Sequence, residues 1–304
     1  MGLSQIVSLR RIFEAPKEAA KYLLAKAGYR LVKNADMDAQ AQKILEQAGP
    51  YTMTSKESIL ALRDSVNYIV SNQVPGDIVE CGVWRGGSMM ACALTLLGAG
   101  ERRTLWLYDT FEGMTPPGDA DVFLPTGEHA GILLNADNKR TSYAWACCPL
   151  EEVKANLEST GYPKELIRYV KGPVEKTIPR FAPKRIALLR LDTDWYQSSY
   201  HELVHLYPRL SPRGVLIIDD YGAWAGSQKA TDQYFAENGL HPLLHRVDAR
   251  IRMVIKEKAA PRLSRYLGAL RSRVAAFGKT GRATFRLILR NEGGALETSH
   301  ADQL

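Results

Sequence analysis

The sequence lacks any apolar run of the roughly 18 residues that a membrane-spanning helix needs, so nothing in it reads as a transmembrane segment. Its first residues lack a signal-peptide core, because Arg10 and Arg11 interrupt it. Ile6 stands where a myristoylation signal after Gly2 would want Ser or Thr. Cysteine is scarce: Cys81, Cys92, Cys147 and Cys148 form no C-x-x-C pair, which argues against a zinc ribbon or a redox dithiol. Buried thiols in a reducing, cytoplasmic setting are the expectation. A broad basic face is lacking too. Net charge is +7, but residues 256–292 alone hold ten Lys or Arg against two Glu, so the remainder is close to neutral. Nucleic-acid binding by the core is therefore not implied.

What is present centres on residues 77–88, DIVECGVWRGGS. Ile78-Val79 leads into Glu80, then Gly82, Gly86, Gly87 and Ser88, and a small apolar segment follows. This is the pattern of a strand, a glycine-rich turn and a helix start, where glycines let backbone approach a ligand and the first helical N–H groups are free to donate. The dinucleotide pattern G-x-G-x-x-G is absent. Glu80 stands where its first glycine would be, and a pyrophosphate there would meet negative charge. A ligand with a cationic end and a ribose fits better, S-adenosylmethionine being one. A second apolar run, 104–107, ends in Tyr108-Asp109, which places an acid where ribose hydroxyls bind. A packed turn without ligand is the competing reading.

Helical spacing marks 18–27, 38–48 and 56–72. Thr54 followed by Glu57 fits a capping box for the last of these, while Ser55 and Ser58 make a weaker cap. Apolar runs at 77–81, 104–108, 167–170, 186–191, 214–218, 242–247 and 251–255 read as strands, with helices at 88–97, 150–159, 198–210 and 228–238. Continuous apolar strands separated by helices imply an α/β doubly wound, mostly parallel sheet of seven strands. Only Asp248-Ala249-Arg250 separates the last two runs, so they form a hairpin and the final strand is antiparallel. Residues 113–149 show no clear helix or strand and read as an acceptor-side lid. The expected division is an accessory helical segment 1–58, a catalytic domain 59–258 and a basic extension 259–304.

Strand 186–191 ends in Asp192-Thr193-Asp194, and strand 214–218 in Asp219-Asp220. Ligands bind beyond the carboxyl ends of such strands. Asp192, Asp219 and Asp220 should converge there, and a hard divalent ion, Mg2+ by preference, would relieve their repulsion. Such an ion could hold two neighbouring hydroxyls and acidify one. Helix caps and salt-bridge partners are the plainer alternative. His201-Glu202-x-x-His205 also matches the zinc-peptidase helix motif, though both histidines flank the helix's apolar stripe.

The runs TMTSKESILAL, PGDIVECGVWRGGSM, LYDTFEGM and LRLDTDWYQSSYHELVHLYPRLSPRGVLIIDDYG resemble the macrocin O-methyltransferase family over residues 51–235. The resemblance implies a class I, Rossmann-like methyltransferase, dependent on S-adenosylmethionine and Mg2+, usually oligomeric and acting on sugars of natural products. It puts Glu80, Gly82, Gly86, Gly87 and Ser88 around the methionine end of the cofactor, Asp109 on the ribose, and Thr110 and Phe111 beside the adenosine. Thr54 would close over the cofactor. Asp192, Asp219 and Asp220 would be metal ligands, Asp192 the proton acceptor and Asp194 an acceptor contact. The last hairpin, RIRMVIK, lacks the aromatic and basic pair that the family pattern carries. The acceptor itself stays open: a glycan, lipid-linked sugar, polyketide glycoside or catechol-like ring, with neighbouring hydroxyls. The basic extension is compatible with an anionic membrane surface, a dimer arm or a solvated tail. A non-catalytic nucleoside-binding relative and a zinc peptidase are the alternative functions.

Overall fold

A computed structural model of the protein describes residues 37–136 and 145–257, together with Ala19, Tyr22 and Lys26. Most of the first expected helix and the whole basic extension, with its membrane, dimer-arm and tail readings, lie outside the described residues. The described chain runs α1 (Ala39–Ala48), α2 (Lys56–Ser71), β1 (Asp77–Cys81), α3 (Gly87–Gly98) and β2 (Leu105–Asp109). It continues with β3 (Val122–Phe123), β4 (Glu128–His129), α4 (Ala130–Ala136), α5 (Leu150–Ser159), β5 (Ile167–Lys171) and α6 (Val174–Thr177). It closes with β6 (Ile186–Leu191), α7 (Tyr196–Leu206), β7 (Leu210–Ile218), α8 (Ala225–Glu237), β8 (His245–Arg246) and β9 (Arg252–Ile255).

Among the described residues the main sheet has seven strands in the order β5-β2-β1-β6-β7-β9-β8. β9 runs antiparallel to both its neighbours and the other pairs are parallel. This is the expected doubly wound sheet with one reversed strand. Its two faces follow from the period-2 alternation of side chains. Ile78, Leu105, Leu107, Leu188, Val215 and Ile217 pack with α1, α2, α3 and α5. Val79, Tyr108, Leu189, Leu191, Leu216 and Ile218 pack with α6, α7 and α8. All six residues of β6 are buried, and each large apolar side chain so placed contributes about 1.5–3 kcal/mol. α3 is apolar all round because it is sandwiched: Met89, Met90, Cys92 and Leu96 are all buried. Among the described residues no helix is long and apolar enough to cross a membrane.

Four local expectations change. α2 is capped by Ser55, whose Oγ accepts from Ser58 N at 3.1 Å, so Thr54 and Glu57 form no capping box. β7 begins at Leu210, not 214, because its first part passes through Pro212 and the left-handed Arg213 (φ 67°), where pairing with β6 shifts register. The 242–247 run keeps only the two residues of β8 as strand. The 113–149 connection is not structureless, since it carries the β3–β4 hairpin and α4.

That connection is pinned to the domain. Leu124 N donates to Ala223 O at 2.8 Å, and Phe123 bridges to Trp224. Asp121 is 1% exposed, and its carboxylate accepts from Gly118 N at 2.7 Å and from Tyr196 N, at the start of α7, at 2.8 Å. A helix start suits a buried carboxylate, because its N–H groups and dipole stabilise negative charge. Gly226, in the first turn of α8, leaves the necessary space: a Cβ there would lie 1.9 Å from Asp121 Oδ1.

Candidate active site

The carboxyl ends of β1, β2, β5, β6 and β7 open on a cavity of about 260 Å³. It lies across the point where strand order reverses, the usual ligand position in such a sheet. Thr52, Met53 and Thr54, ahead of α2, form one lip, and Arg250, between β8 and β9, forms another.

On the cofactor side, Gly82, Ser88, Asp109, Thr110 and Thr54 reach the cavity wall; Glu80, Gly86, Gly87 and Phe111 do not. The glycines serve packing. Gly82 has φ 79°, and a Cβ on it would lie 1.8 Å from Asp192 O, so the β1 and β6 ends meet only because this residue is glycine. Gly86 (φ 88°) leaves room for Leu157, and Gly87 for the Tyr51 backbone; a Cβ on either would collide with that neighbour at under 3 Å. Gly86 and Gly87 are thus taken up by packing, while Gly82 both packs against β6 and reaches the cavity wall. Phe111 is a core residue at 4% exposure. Asp109 organises the turn: its Oδ2 accepts from Val83 N at 2.7 Å and Trp84 N at 3.1 Å, and its Oδ1 from Phe111 N at 2.7 Å. Burial raises its pKa against these lowering bonds. Thr54 Oγ1 is buried with no hydrogen-bond partner, a polar atom that a ligand would satisfy.

The opposite wall, at the ends of β6 and β7, is built from charge. Asp192, Asp219 and Asp220 each offer an oxygen, and these three atoms lie within 4.8 Å of one another. Arg190, buried at the end of β6, has one nitrogen 2.7 Å from Glu80 Oε1 and 2.5 Å from Asp192 Oδ2, while its second guanidinium nitrogen bonds Asp219. Glu80 and Arg190 are register partners across β1 and β6, which draws Glu80 behind the cavity wall. Arg250 Nη2 pairs with Asp220 Oδ1 at 3.0 Å. Asp194 adds a fifth carboxyl beside Asp220. Burial raises Glu80 to about 8, Asp192 to about 6 and Asp194 to about 7; Asp219 and Asp220 also rise, first through burial.

Five carboxyls crowd around two guanidiniums, and the raised pKa values mean that without a further cation several of them hold protons near neutral pH. Asp220 Oδ2 is buried with no hydrogen-bond partner. A compact set of hard oxygen donors with one oxygen unsatisfied fits a divalent cation of the Mg2+ class.

Sequence reasoning missed Arg190, Arg250 and the β5 end, where Gly172, Pro173, Val174 and Glu175 line the cavity. A signal for Arg190 existed: an arginine inside an apolar parallel strand is buried, and buried charge needs partners. Arg250, the first residue of RIRMVIK, stands at the turn of the last hairpin and pairs with Asp220. A third stretch of the cavity wall is aromatic. Trp195, Trp224 and Phe123 line it, with ring centroids 5.0 Å apart for Trp195–Trp224 and 5.1 Å for Phe123–Trp224. Trp195 Nε1 donates to Thr115 O at 2.9 Å.

The zinc-peptidase motif does not assemble. His201 Nε2 lies 3.0 Å from Ile178 O, and Glu202 is 0% exposed with Oε1 bonded to Thr193 Oγ1. Among the described residues the only metal-type cluster is the aspartate trio.

Known proteins agree with this architecture. The family model described as Macrocin-O-methyltransferase (TylF) matches residues 10–254. The 8-demethyl-8-(2,3-dimethoxy-alpha-L-rhamnosyl)-tetracenomycin-C 4'-O-methyltransferase of Streptomyces olivaceus is 34% identical over 203 residues, which are 65% of this chain and 72% of that protein. The mycinamicin III 3''-O-methyltransferase of Micromonospora griseorubida is 31% identical, over 65% of this chain and 75% of its own length. The solved structure of the O-methyltransferase NovP superposes with a TM-score of 0.63 at 26% identity, covering 72% of this chain and 98% of that one. A sheet of this order, a cavity across its switch point and a family match over most of the chain make this protein an O-methyltransferase with the S-adenosylmethionine-dependent fold and a member of the macrocin-O-methyltransferase family.

Proposed function

We propose that the protein methylates a sugar hydroxyl that has a neighbouring hydroxyl, taking the methyl group from S-adenosylmethionine and depending on Mg2+. The observation that carries this reading is the aspartate trio at the edge of the cavity, with its unsatisfied Asp220 oxygen. The sugar assignment draws support from the rhamnosyl moiety in the name of the tetracenomycin relative.

On this reading Thr54, Ser88, Asp109 and Thr110 hold the cofactor, with Thr54 Oγ1 gaining the partner it lacks. Asp192, Asp219 and Asp220 hold the ion. A bound Mg2+ would gather two acceptor oxygens and make one hydroxyl more acidic. Asp192 was the expected proton acceptor, but it is bonded to Arg190 and belongs to the ligand set, both of which reduce its basicity. Asp194 lines the same cavity outside that set and is the better proton acceptor. As Asp194 takes the proton, the acceptor oxygen forms its bond to the methyl carbon and the carbon–sulfur bond breaks. The sulfonium becomes the neutral thioether S-adenosylhomocysteine. Trp195, Trp224 and Phe123 offer apolar faces to the sugar's C–H side and keep water from the reacting atoms. Most of the acceleration comes from positioning and fixed charge.

The test is calorimetric titration of S-adenosylmethionine with Mg2+ and with EDTA, followed by transfer of labelled methyl to rhamnosyl glycosides. Cofactor binding without metal and turnover only with Mg2+ is the expected result. Turnover undiminished in EDTA would overturn the metal role, and absence of cofactor binding in both conditions would overturn the whole reading.

A further inference from the structure

Glu202 has no part in that chemistry, yet it is the most deeply placed carboxyl near it. It is 0% exposed on α7 and does not line the cavity. Oε1 accepts from Thr193 Oγ1 at 3.0 Å, and Oε2 has no hydrogen-bond partner. A leucine would suit a fully buried helix position better, since a half-satisfied buried carboxyl costs stability. Burial holds its pKa well above the usual carboxylate range.

The bond from Thr193 ties Glu202 to the middle of the stretch that carries the chemistry, while the buried Cys81 thiol of β1 also faces this carboxyl. Asp192 is tied to β1 through its N–H, which donates to Cys81 O at 2.8 Å, and to Arg190 through its carboxylate. Trp195 N donates to Thr193 O at 2.6 Å, closing a tight turn. Asp194, inside that turn, has φ 62°, a left-handed conformation that costs a non-glycine residue about 1–3 kcal/mol and persists only under outside support. The Thr193 side chain is the one link from this turn to α7 that passes through a side-chain hydrogen bond among the described residues.

We infer that Glu202 is a positioning residue: by holding the Thr193 hydroxyl it fixes the turn that sends Asp192 to the aspartate trio and Asp194 to the acceptor side. The inference rests on the metal reading above for one of its readouts and on backbone geometry alone for the other. A histidine–glutamate helix motif that looks like a zinc site thus serves, through its glutamate, the aspartates of the neighbouring strand end.

The experiment compares wild type, Thr193→Val, Thr193→Ser, Glu202→Gln and Glu202→Leu. Crystal structures give the Asp194 φ, and calorimetry gives affinities for Mn2+ and for S-adenosylhomocysteine. Thr193→Val removes the bond from the cavity side and leaves the core intact should Glu202→Leu fail to fold. Thr193→Val should bind Mn2+ about tenfold to a hundredfold more weakly, as loss of a group orienting a ligand does, with Asp194 leaving the left-handed region. Affinity for S-adenosylhomocysteine should stay within about twofold, since the cofactor wall is untouched. Thr193→Ser and Glu202→Gln keep the hydroxyl and the accepting oxygen and should behave as wild type. An unmoved Asp194 and unchanged Mn2+ affinity in Thr193→Val would overturn the inference. Wild type taking up no Mn2+ would overturn the metal reading instead, and the Asp194 φ in Thr193→Val would then decide Glu202 by itself.

Discussion

The two sides of the cavity are built from different materials. The cofactor side, after β1, is held by backbone: glycines that permit contact and amide N–H groups that converge on Asp109. The opposite side, after β6 and β7, is held by buried charge, with Arg190 and Arg250 set among five carboxyls. Backbone packing tolerates almost no change of shape, whereas a charged cluster tolerates almost no change of balance. The same domain therefore fails in two distinguishable ways.

On the proposed function, replacing a member of the aspartate trio should break function without breaking the fold. Asp219→Ala is expected to lower turnover by about a thousandfold, which is about 4 kcal/mol of transition-state stabilisation, with S-adenosylmethionine affinity nearly unchanged. Steady-state kinetics beside calorimetry would check it, and activity surviving the change would remove the charge-built side from the mechanism. Gly82→Ala should do the reverse. Its Cβ would meet the Asp192 carbonyl at 1.8 Å in a left-handed backbone, so a loss of about 3–5 kcal/mol in folding stability is expected by denaturant unfolding.

Arg190→Met joins the two behaviours. It leaves Glu80, Asp192 and Asp219 without their shared cation, which costs about 3 kcal/mol in EDTA. Added Mg2+ should raise the melting temperature of this variant more than that of wild type, because the ion replaces charge the side chain supplied. Equal shifts would mean that Arg190 and the ion do not share the cluster.

The smallest effect lies at the lip. Burial raises the pKa of Asp248, but hydrogen bonds from Ser55, Ser58 and the Ile251 and Arg250 amides outweigh it and bring the carboxyl to about 2. A folded pKa below the ordinary value of 3.8 gives stability that is present above about pH 4 and lost as pH falls through about 2. Asp248→Asn should cost about 1 kcal/mol at pH 7, discounted for the exposure of this site, and flatten the acid limb of the stability curve between pH 4 and 2.

The backbone-built side shows how one motif can answer to two physical purposes. Its glycine pattern was legible, but glycine freedom serves ligand approach and close packing alike, and only the third dimension separates Leu157 or Tyr51 from a cofactor as the neighbour. The mostly parallel seven-stranded sheet and its reversed last strand were legible because apolar runs and a three-residue connection leave few topologies. The convergence of Asp192, Asp219 and Asp220 was legible for the same reason: adjacent parallel strands end at one edge. Arg190 was not, since one charged letter among five apolar ones changes no period, and its partner Glu80 sits 110 residues away in sequence. The β3 and β4 strands, two residues each, fall below any repeat that a pattern can show.

Asp121 carries a consequence for how this scaffold diversifies. Because its carboxylate fastens the connection to the start of α7 and nests against Gly226, the hairpin tip beyond it works as an exchangeable module. Residues 124–128 can differ in length and chemistry while the anchor keeps the hinge in place. Phe123, just before that tip, lines the cavity, so with Asp121 and Gly226 kept the aromatic wall and the carboxylate cluster should stay in place while the tip varies.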